Sequence, residues 1–377
     1  MENLHQKKIL PDSSYTYLAN NNYKLDVHDN ALVYTDEEVL TIQRSMPSEM
    51  MKQILQVMVG SRSINSLSPP IKVFTTSSLI FFYIIEFSYL NYFIKKVLEE
   101  KDPLKRIQWI ISYTIASKHL ILTQEKPLDP VLGETTQFQA DDLKIYTECI
   151  SISPIVVLFY GAGNNYKISG YFEPRDSTTP ISNVSHKGMK LNIVLNDKIK
   201  TSYFITSPQF QVNNLLTGKR NVNYIGTQEI IDKKNKLYCK TFYNAESKKS
   251  IFDKVFTNKK DRFDFFKGIV TQNKMLFESD SNEVFKSNEV ISYYEGNWLD
   301  FIMIDGTKTW KFDTYEPPEL ILQNQVIPSD NSLRNDYKFL KEKNLELAQT
   351  WHNILEEQDT EDQKKRDKFK ASKEALV

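Results

Sequence analysis

This chain has no excess of either charge: Lys+Arg 48 balance Asp+Glu 48 over 377 residues. With no basic field, nucleic acid drops out as a partner, and any attraction to an anionic membrane must come from local patches. Cysteine is nearly absent. Cys149 and Cys239 each sit in an apolar, strand-like run, which makes neither a disulfide framework nor a zinc set and fits a reducing compartment. Histidine is scarce, and His5, His28, His119, His186 and His352 show no metal-ligand spacing. No Gly-x-Ser-x-Gly elbow occurs, and Gly161-Ala-Gly-Asn-Asn165 lacks the later Gly of a dinucleotide loop and the Lys of a phosphate loop, so it reads as a turn. No catalytic, metal or cofactor constellation remains, and the sequence does not read as an enzyme. An apolar signal core is missing from Met-Glu-Asn-Leu-His-Gln-Lys-Lys at the start. The most apolar run, residues 79–94, contains Glu86 and Asn91 and is short of the roughly 20 residues a span requires, so a buried helix is expected.

What is present is a soluble globular composition, 40% hydrophobic and 25% charged, rich in Phe (22) and Tyr (20). That aromatic content suits a β-rich interior, either solidly packed or lining a cavity. Residues 1–45 are polar and weakly patterned and read as an arm. Next, Ser48 is placed to cap a helix whose Met51, Ile54, Leu55 and Met58 share one face; such a face either packs in a core or serves as an adaptable lid. Residues 78–118 are helical in pattern, with Pro103 suited to a first turn and Ile107, Ile110, Ile111 and Ile115 at helical spacing. Lys118 and His119 are expected near the end of this stretch, offsetting exposed carbonyls.

In Lys126-Pro127-Leu128-Asp129-Pro130-Val131-Leu132-Gly133-Glu134, two prolines within four residues impose a rigid extended loop ahead of a sheet. From Thr135 to about Phe312 short aromatic and β-branched runs alternate with turn residues, the pattern of a large antiparallel meander. Lys190 to Leu195, Leu237 to Tyr243, and a hairpin turning at Asp305-Gly306 are its clearest pieces. So many adjacent strands favour closure. Residues 248–261 read as a charged surface excursion. After Pro317-Pro318 helical spacing returns, with Leu347, Ala348, Trp351, Ile354 and Leu355 on one face, and the end from Asp359 is a charged helix or tail.

The rigid loop closely resembles the Lys-Pro-Phe/Leu-Asn-Pro-x-Leu-Gly-Glu motif of the oxysterol-binding-protein-related lipid-transfer family. Pro69-Pro70 resembles the family's Pro-Pro segment after its lid. Glu295-Gly-Asn-Trp298 resembles a late barrel strand, and Pro328 through Arg334-Asn-Asp336 the opening of its C-terminal helices. The resemblance covers residues 48–366. It implies an α+β, mainly β fold: a large antiparallel, nearly closed β-barrel around a lipid tunnel, with an N-terminal lid helix and helical layers before and after. On that pattern residues 46–366 form the ligand-binding domain, with a lid at 46–62, helices at 63–125, barrel at 126–316 and helices at 317–366, followed by a charged tail at 367–377.

The resemblance also implies a headgroup site, and there the chain departs from the family. Lys126 matches the phosphate-meeting lysine and Leu128 its neighbour, but Asp129 replaces Asn. The family's Glu-Gln-Val-Ser-His-His-Pro-Pro is here Glu148-Cys-Ile-Ser-Ile-Ser-Pro-Ile155, so Ile152 and Ser153 stand where the two histidines belong. The helical Lys, Glu, Arg stripe becomes His352, Glu356 and Thr360. A phosphoinositide head carries several negative charges and needs several cations. The expectation is therefore a cytoplasmic lipid carrier, peripheral to membranes, for a sterol-like lipid or a phospholipid, with phosphatidylinositol 4-phosphate exchange weakened or lost. The alternative is a structural or interaction protein binding partners through its arm or tail. Membrane contact would be transient.

Overall fold

Apolar–polar alternation in the middle of the sequence becomes antiparallel ladders in the computed structural model. Residues 10–26, 31–58, 69–122, 125–178, 182–214, 219–244, 263–322 and 326–374 are described. The chain forms two compact units, each gathered from three separate segments.

The first unit comprises Met1–Thr35, Glu86–Leu122 and Asp176–Pro318. Asn221–Asp232, Leu237–Tyr243, Phe265–Thr271, Val290–Asn297, Phe301–Ile304 and Thr307–Lys311 pair in succession, all antiparallel. Alternate residues such as Ile230, Cys239, Ile269, Tyr294 and Ile302 are buried, as period-two burial requires. The expected turn is present: Asp305 and Gly306 take φ of 50° and 77°, the left-handed pair that joins two twisted strands. Lys190–Leu195 and Leu237–Tyr243 also form strands where the alternation places them.

Two expectations fail in this unit. Residues read as a polar arm instead contain a helix, Asp12–Asn20, and a hairpin of Tyr23–Asp26 with Ala31–Tyr34. The hairpin's second strand pairs onward with Asn221 and Val222. Four-residue strands are too short to show a period, and only Ser14 and Leu18 of the helix are buried. Lys118 and His119 do not end a helix in solvent. The helix Pro103–Ala116, capped by Asp102 and opened by Pro103, runs into the turn Ser117–Ile121, where both residues are buried. Their own carbonyls accept tyrosine hydroxyls, Tyr224 at Lys118 (2.8 Å) and Tyr17 at His119 (2.7 Å).

The second unit comprises Asp36–Ile85, Thr123–Arg175 and Glu319–Val377. Thr135–Ala140, Leu143–Ile152, Ile155–Gly163 and Tyr166–Phe172 make an antiparallel meander, edged by Ile321–Leu322. The turn expected over Gly161 to Asn165 is confined to Asn164 and Asn165. Gly161 and Gly163 lie inside the strand, where a Cβ on Gly163 would meet the Tyr166 ring at 2.4 Å, so the position needs a glycine. The helix expected from Ser48 starts earlier, as Glu37–Met58, because the Asp36 carboxylate accepts from the Glu38 and Val39 amides at 3.1 Å. Pro47 lies within it, and Ser48 Oγ donates back to the Ser45 carbonyl rather than capping.

The first half of this helix packs Ile42 and Met46 against a core of Ile71, Val73, Phe74, Leu128, Leu340 and Ala348. The last two come from Asn335–Lys341 and Leu345–Glu374. Of the apolar face expected on the longer helix, Ala348 is buried but Leu347 and Ile354 are exposed. Residues 248–261 lie outside the described residues. No helix among those described is long and apolar enough to cross a membrane.

Candidate functional site

The rigid loop forms a short strand, Lys126–Leu128, pairing in parallel with Phe74–Ser78. This pairing buries Leu128 and leaves Lys126 and Asp129 part-exposed. The Lys126 ammonium pairs with the Asp129 carboxylate three residues on and lies 4.7 Å from the centre of the Phe74 ring. The His352 ring is 5.1 Å from the same phenyl group. One aromatic ring is therefore shared by the loop lysine and the helix histidine, two residues that the sequence assigns to one site.

His352 is buried, with Nδ1 3.1 Å from Asp336 Oδ2 and Nε2 3.2 Å from Glu356 Oε1, the latter out of line for a hydrogen bond. Burial opposes the imidazolium charge, but Asp336 and Glu356 outweigh it and push His352 up to about 9. The consequence for stability has a definite sign. With the folded value above the ordinary 6.5, charged His352 stabilises fully below pH 6.5 and loses that contribution as pH rises through about 9. The stability difference between the unmutated chain and His352→Asn should shrink by on the order of 2 kcal/mol over that window. Denaturant melts of both chains at several pH values measure it, and a constant difference would refute the assigned charge.

Beneath the loop lies a set of charges that the sequence reading did not assign. Arg334 donates from Nε and Nη2 to the two oxygens of Asp336 at 3.0 and 2.6 Å. Its Nη1 reaches Glu134 Oε2 and the Asp129 carbonyl, both at 2.7 Å. The two carboxylates are held in opposite directions. Burial pushes Glu134 up despite Arg334, whereas Asp336, also buried, is drawn well below the usual range by His352 and Arg334. Glu134 Oε2 also accepts from the Val131 amide at 2.9 Å, closing the loop on itself. Arg334, Asp336 and Glu134 all belong to quoted motifs, so the signal was an Arg-x-Asp pair plus a lone Glu in a glycine turn.

The remaining assigned residues are arranged around this set. Ile152 ends the strand Leu143–Ile152, and Ser153 follows it, exposed, at a cis bond to Pro154. The strand is tied to the loop through Gly133 N to Cys149 O and Cys149 N to Glu134 O, both 2.8 Å. The loop is tied to the helix by Leu132 N donating to Asp359 Oδ1 at 2.6 Å. Thr360 turns inward on its own helix, donating to the Glu356 carbonyl at 2.8 Å. On the lid candidate, Met51 and Leu55 are 56% and 53% exposed; the side chains of Ile54 and Met58 lie outside the described residues.

Residues 50–375 match the family described as Oxysterol-binding protein. Oxysterol-binding protein 9 of Dictyostelium discoideum is 25% identical over 345 residues, 89% of this chain and 78% of that protein. Oxysterol-binding protein-related protein 1 of Mus musculus is 25% identical over 210 residues, 52% of this chain and 22% of that protein. Among solved structures, the Osh3 ORD in complex with PI(4)P from Saccharomyces cerevisiae has a TM-score of 0.61 at 18% identity, covering 83% of each chain. The Osh1 ORD domain in complex with ergosterol scores 0.60 at 16% identity, covering 82% of this chain and 78% of that one. These structures share the fold, a large antiparallel sheet with helices.

Proposed function

The chain belongs to the oxysterol-binding protein family, and from that premise we propose that it is a lipid carrier rather than an enzyme. It holds a sterol-like or other apolar lipid in a nearly closed barrel, with a lid at residues 46–62, and its exchange of phosphatidylinositol 4-phosphate is weakened or lost. It works in the cytoplasm, at membrane surfaces. The neighbours solved with ergosterol and with PI(4)P make both lipid classes relevant to this reading. Exposed Met51 and Leu55 suit a lid that closes on an irregular apolar ligand.

One observation carries the second half of the proposal. Three cations, Lys126, Arg334 and His352, face four carboxylates, Asp129, Glu134, Asp336 and Glu356, and each cation contacts at least one of them. An anionic headgroup would have to displace a protein carboxylate at each cation. Breaking a desolvated charge pair costs about 2–5 kcal/mol, so even one such exchange weakens binding by tens-fold or more.

Extraction from liposomes tests both halves. Sterol pickup approaching one per chain, with phosphatidylinositol 4-phosphate pickup at least about tenfold lower, is expected. Stoichiometric phosphoinositide pickup would overturn the charge argument. A chain that extracts no lipid and carries none in native mass spectrometry favours the structural or interaction protein. Asp129→Asn removes the carboxylate paired with Lys126 and releases the lysine. Because the pair is part-exposed, the gain is about 1 kcal/mol, or roughly fivefold more phosphoinositide bound. No increase would remove Asp129 as a determinant.

A further inference from the structure

The outer face of the meander in the second unit is not the polar surface that a solvated sheet face ordinarily presents. The register sets Tyr146 of Leu143–Ile152 directly opposite Tyr160 of Ile155–Gly163, and Leu158 opposite Glu148. Tyr146, Ile150, Leu158 and Tyr160 are 46, 37, 42 and 45% exposed, on the side away from buried Ile145, Cys149, Val157 and Phe159. One row beyond the tyrosines, Lys144, Ala162 and Lys167 lie side by side across three strands, with both lysines exposed. Among these residues Glu148 is the only carboxylate. At the other end of the face Arg366, from the helix Leu345–Glu374, donates from Nη1 to the Ile150 carbonyl at 3.3 Å. Around this contact the helix is basic. Lys364, Lys365, Arg366, Lys368 and Lys370 stand against Asp367 alone, and all six are exposed. Phe369, 63% exposed, lies one turn beyond Lys365 and Arg366 on the same side of the helix. Lys365 pairs with Asp362 at 2.8 Å, but an exposed pair is worth little and an outside anion can replace it. The apolar rows therefore lie between two basic ends.

We propose that this face, with the basic turns of the helix, is the surface on which the protein docks to an anionic bilayer. This rests on the carrier reading above, which requires contact with a membrane, and it names the surface that makes that contact. A tyrosine sets its ring among the lipid chains and its hydroxyl at the headgroups. Lysine stems cover apolar surface while their ammoniums stay with the phosphates. Acidic lipids supply the negative charge that the helix end lacks. An acidic protein would answer the lysines but would leave the tyrosine and leucine rows between them without an apolar partner.

Sedimentation of the delipidated full chain with two kinds of vesicle tests this: phosphatidylcholine alone, and equal parts of phosphatidylcholine and phosphatidylserine. Binding to the second should be about a hundredfold tighter or more, and added salt should remove most of that gain. Each cation is worth about fivefold at an anionic surface, so Lys368→Gln with Lys370→Gln should weaken binding about twentyfold. Tyr146→Thr with Tyr160→Thr keeps strand-forming side chains and should weaken it about tenfold. Equal binding of the unmutated chain to both vesicles, or phosphatidylserine binding that survives both pairs of substitutions, overturns the docking face. Loss with the lysine pair alone overturns the part assigned to the tyrosines. Dehydroergosterol delivered from cyclodextrin reads lipid uptake without a membrane, and the unmutated chain and both variants should take it up. Failed docking with uptake intact overturns the face and leaves the carrier reading standing. No uptake by the unmutated chain overturns the carrier reading itself.

Discussion

Arg334→Met should destabilise the folded chain by about 3–5 kcal/mol, lowering its melting temperature by about 10 °C. Methionine fills much of the arginine's volume, so the loss isolates charge and hydrogen bonding from packing. Without the guanidinium, Asp336 keeps only His352 as a cation, and Glu134 keeps only a backbone amide. Two carboxylates 2% exposed or less then lack their shared partner. Removing one member of a buried pair is severe because the survivor stays desolvated. Arg334→Lys should recover only part of the loss, since a single ammonium cannot replace the two-pronged bond to Asp336 and the third contact at Glu134. A melting shift below about 2 °C for the methionine variant would show that the network contributes little.

Glu86→Gln is the second large effect, also about 3–5 kcal/mol. Glu86 accepts from Lys118 Nζ at 3.0 Å and from Lys187 Nζ at 2.7 Å, one ammonium on each oxygen, so the substitution leaves two buried ammoniums with no carboxylate between them. The contrasting variant is Lys118→Met, which leaves Glu86 and Lys187 as a matched pair and should change stability by less than about 1 kcal/mol. The titration behaviour of the partners agrees with that asymmetry. Burial opposes the charge on Glu86, but two lysines draw it down to about 2. Lys187 is also held down, to about 8, because burial outweighs its share of one carboxylate. Glu86 therefore stabilises fully above its ordinary 4.5, and that contribution is lost as pH falls through about 2. Calorimetry of the two variants at neutral pH decides the matter: equal losses would refute the division of one carboxylate between two lysines.

The sequence was legible where information is local. Strands with clean alternation, such as Leu237–Tyr243, and the Asp305-Gly306 turn are written in consecutive residues. The start of the helix at Glu37 was missed because Pro47 looked like a boundary, while Asp36, the residue that caps it, resembled any surface acid. The charge network was not legible, since Arg334 and Glu134 are 200 positions apart and only folding brings them to 2.7 Å. The lysines at 118 and 187 offered nothing beyond ordinary charge, and the one hint was an acid, Glu86, within the most apolar run of the chain.

The early hairpin imposes an order on synthesis. Its strand Ala31–Tyr34 pairs locally with Tyr23–Asp26, but its other edge is seated on Asn221 and Val222, so that edge stays open until the ribosome has released that distant segment. Meanwhile Leu32 and Val33, both fully covered at the end, travel in the open beside a nascent chain rich in unpaired strands. Pairing between segments so far apart in sequence slows folding and prolongs the exposure of apolar surface to aggregation. Trimming its first 34 residues would bare a strand edge where a neighbouring molecule could attach.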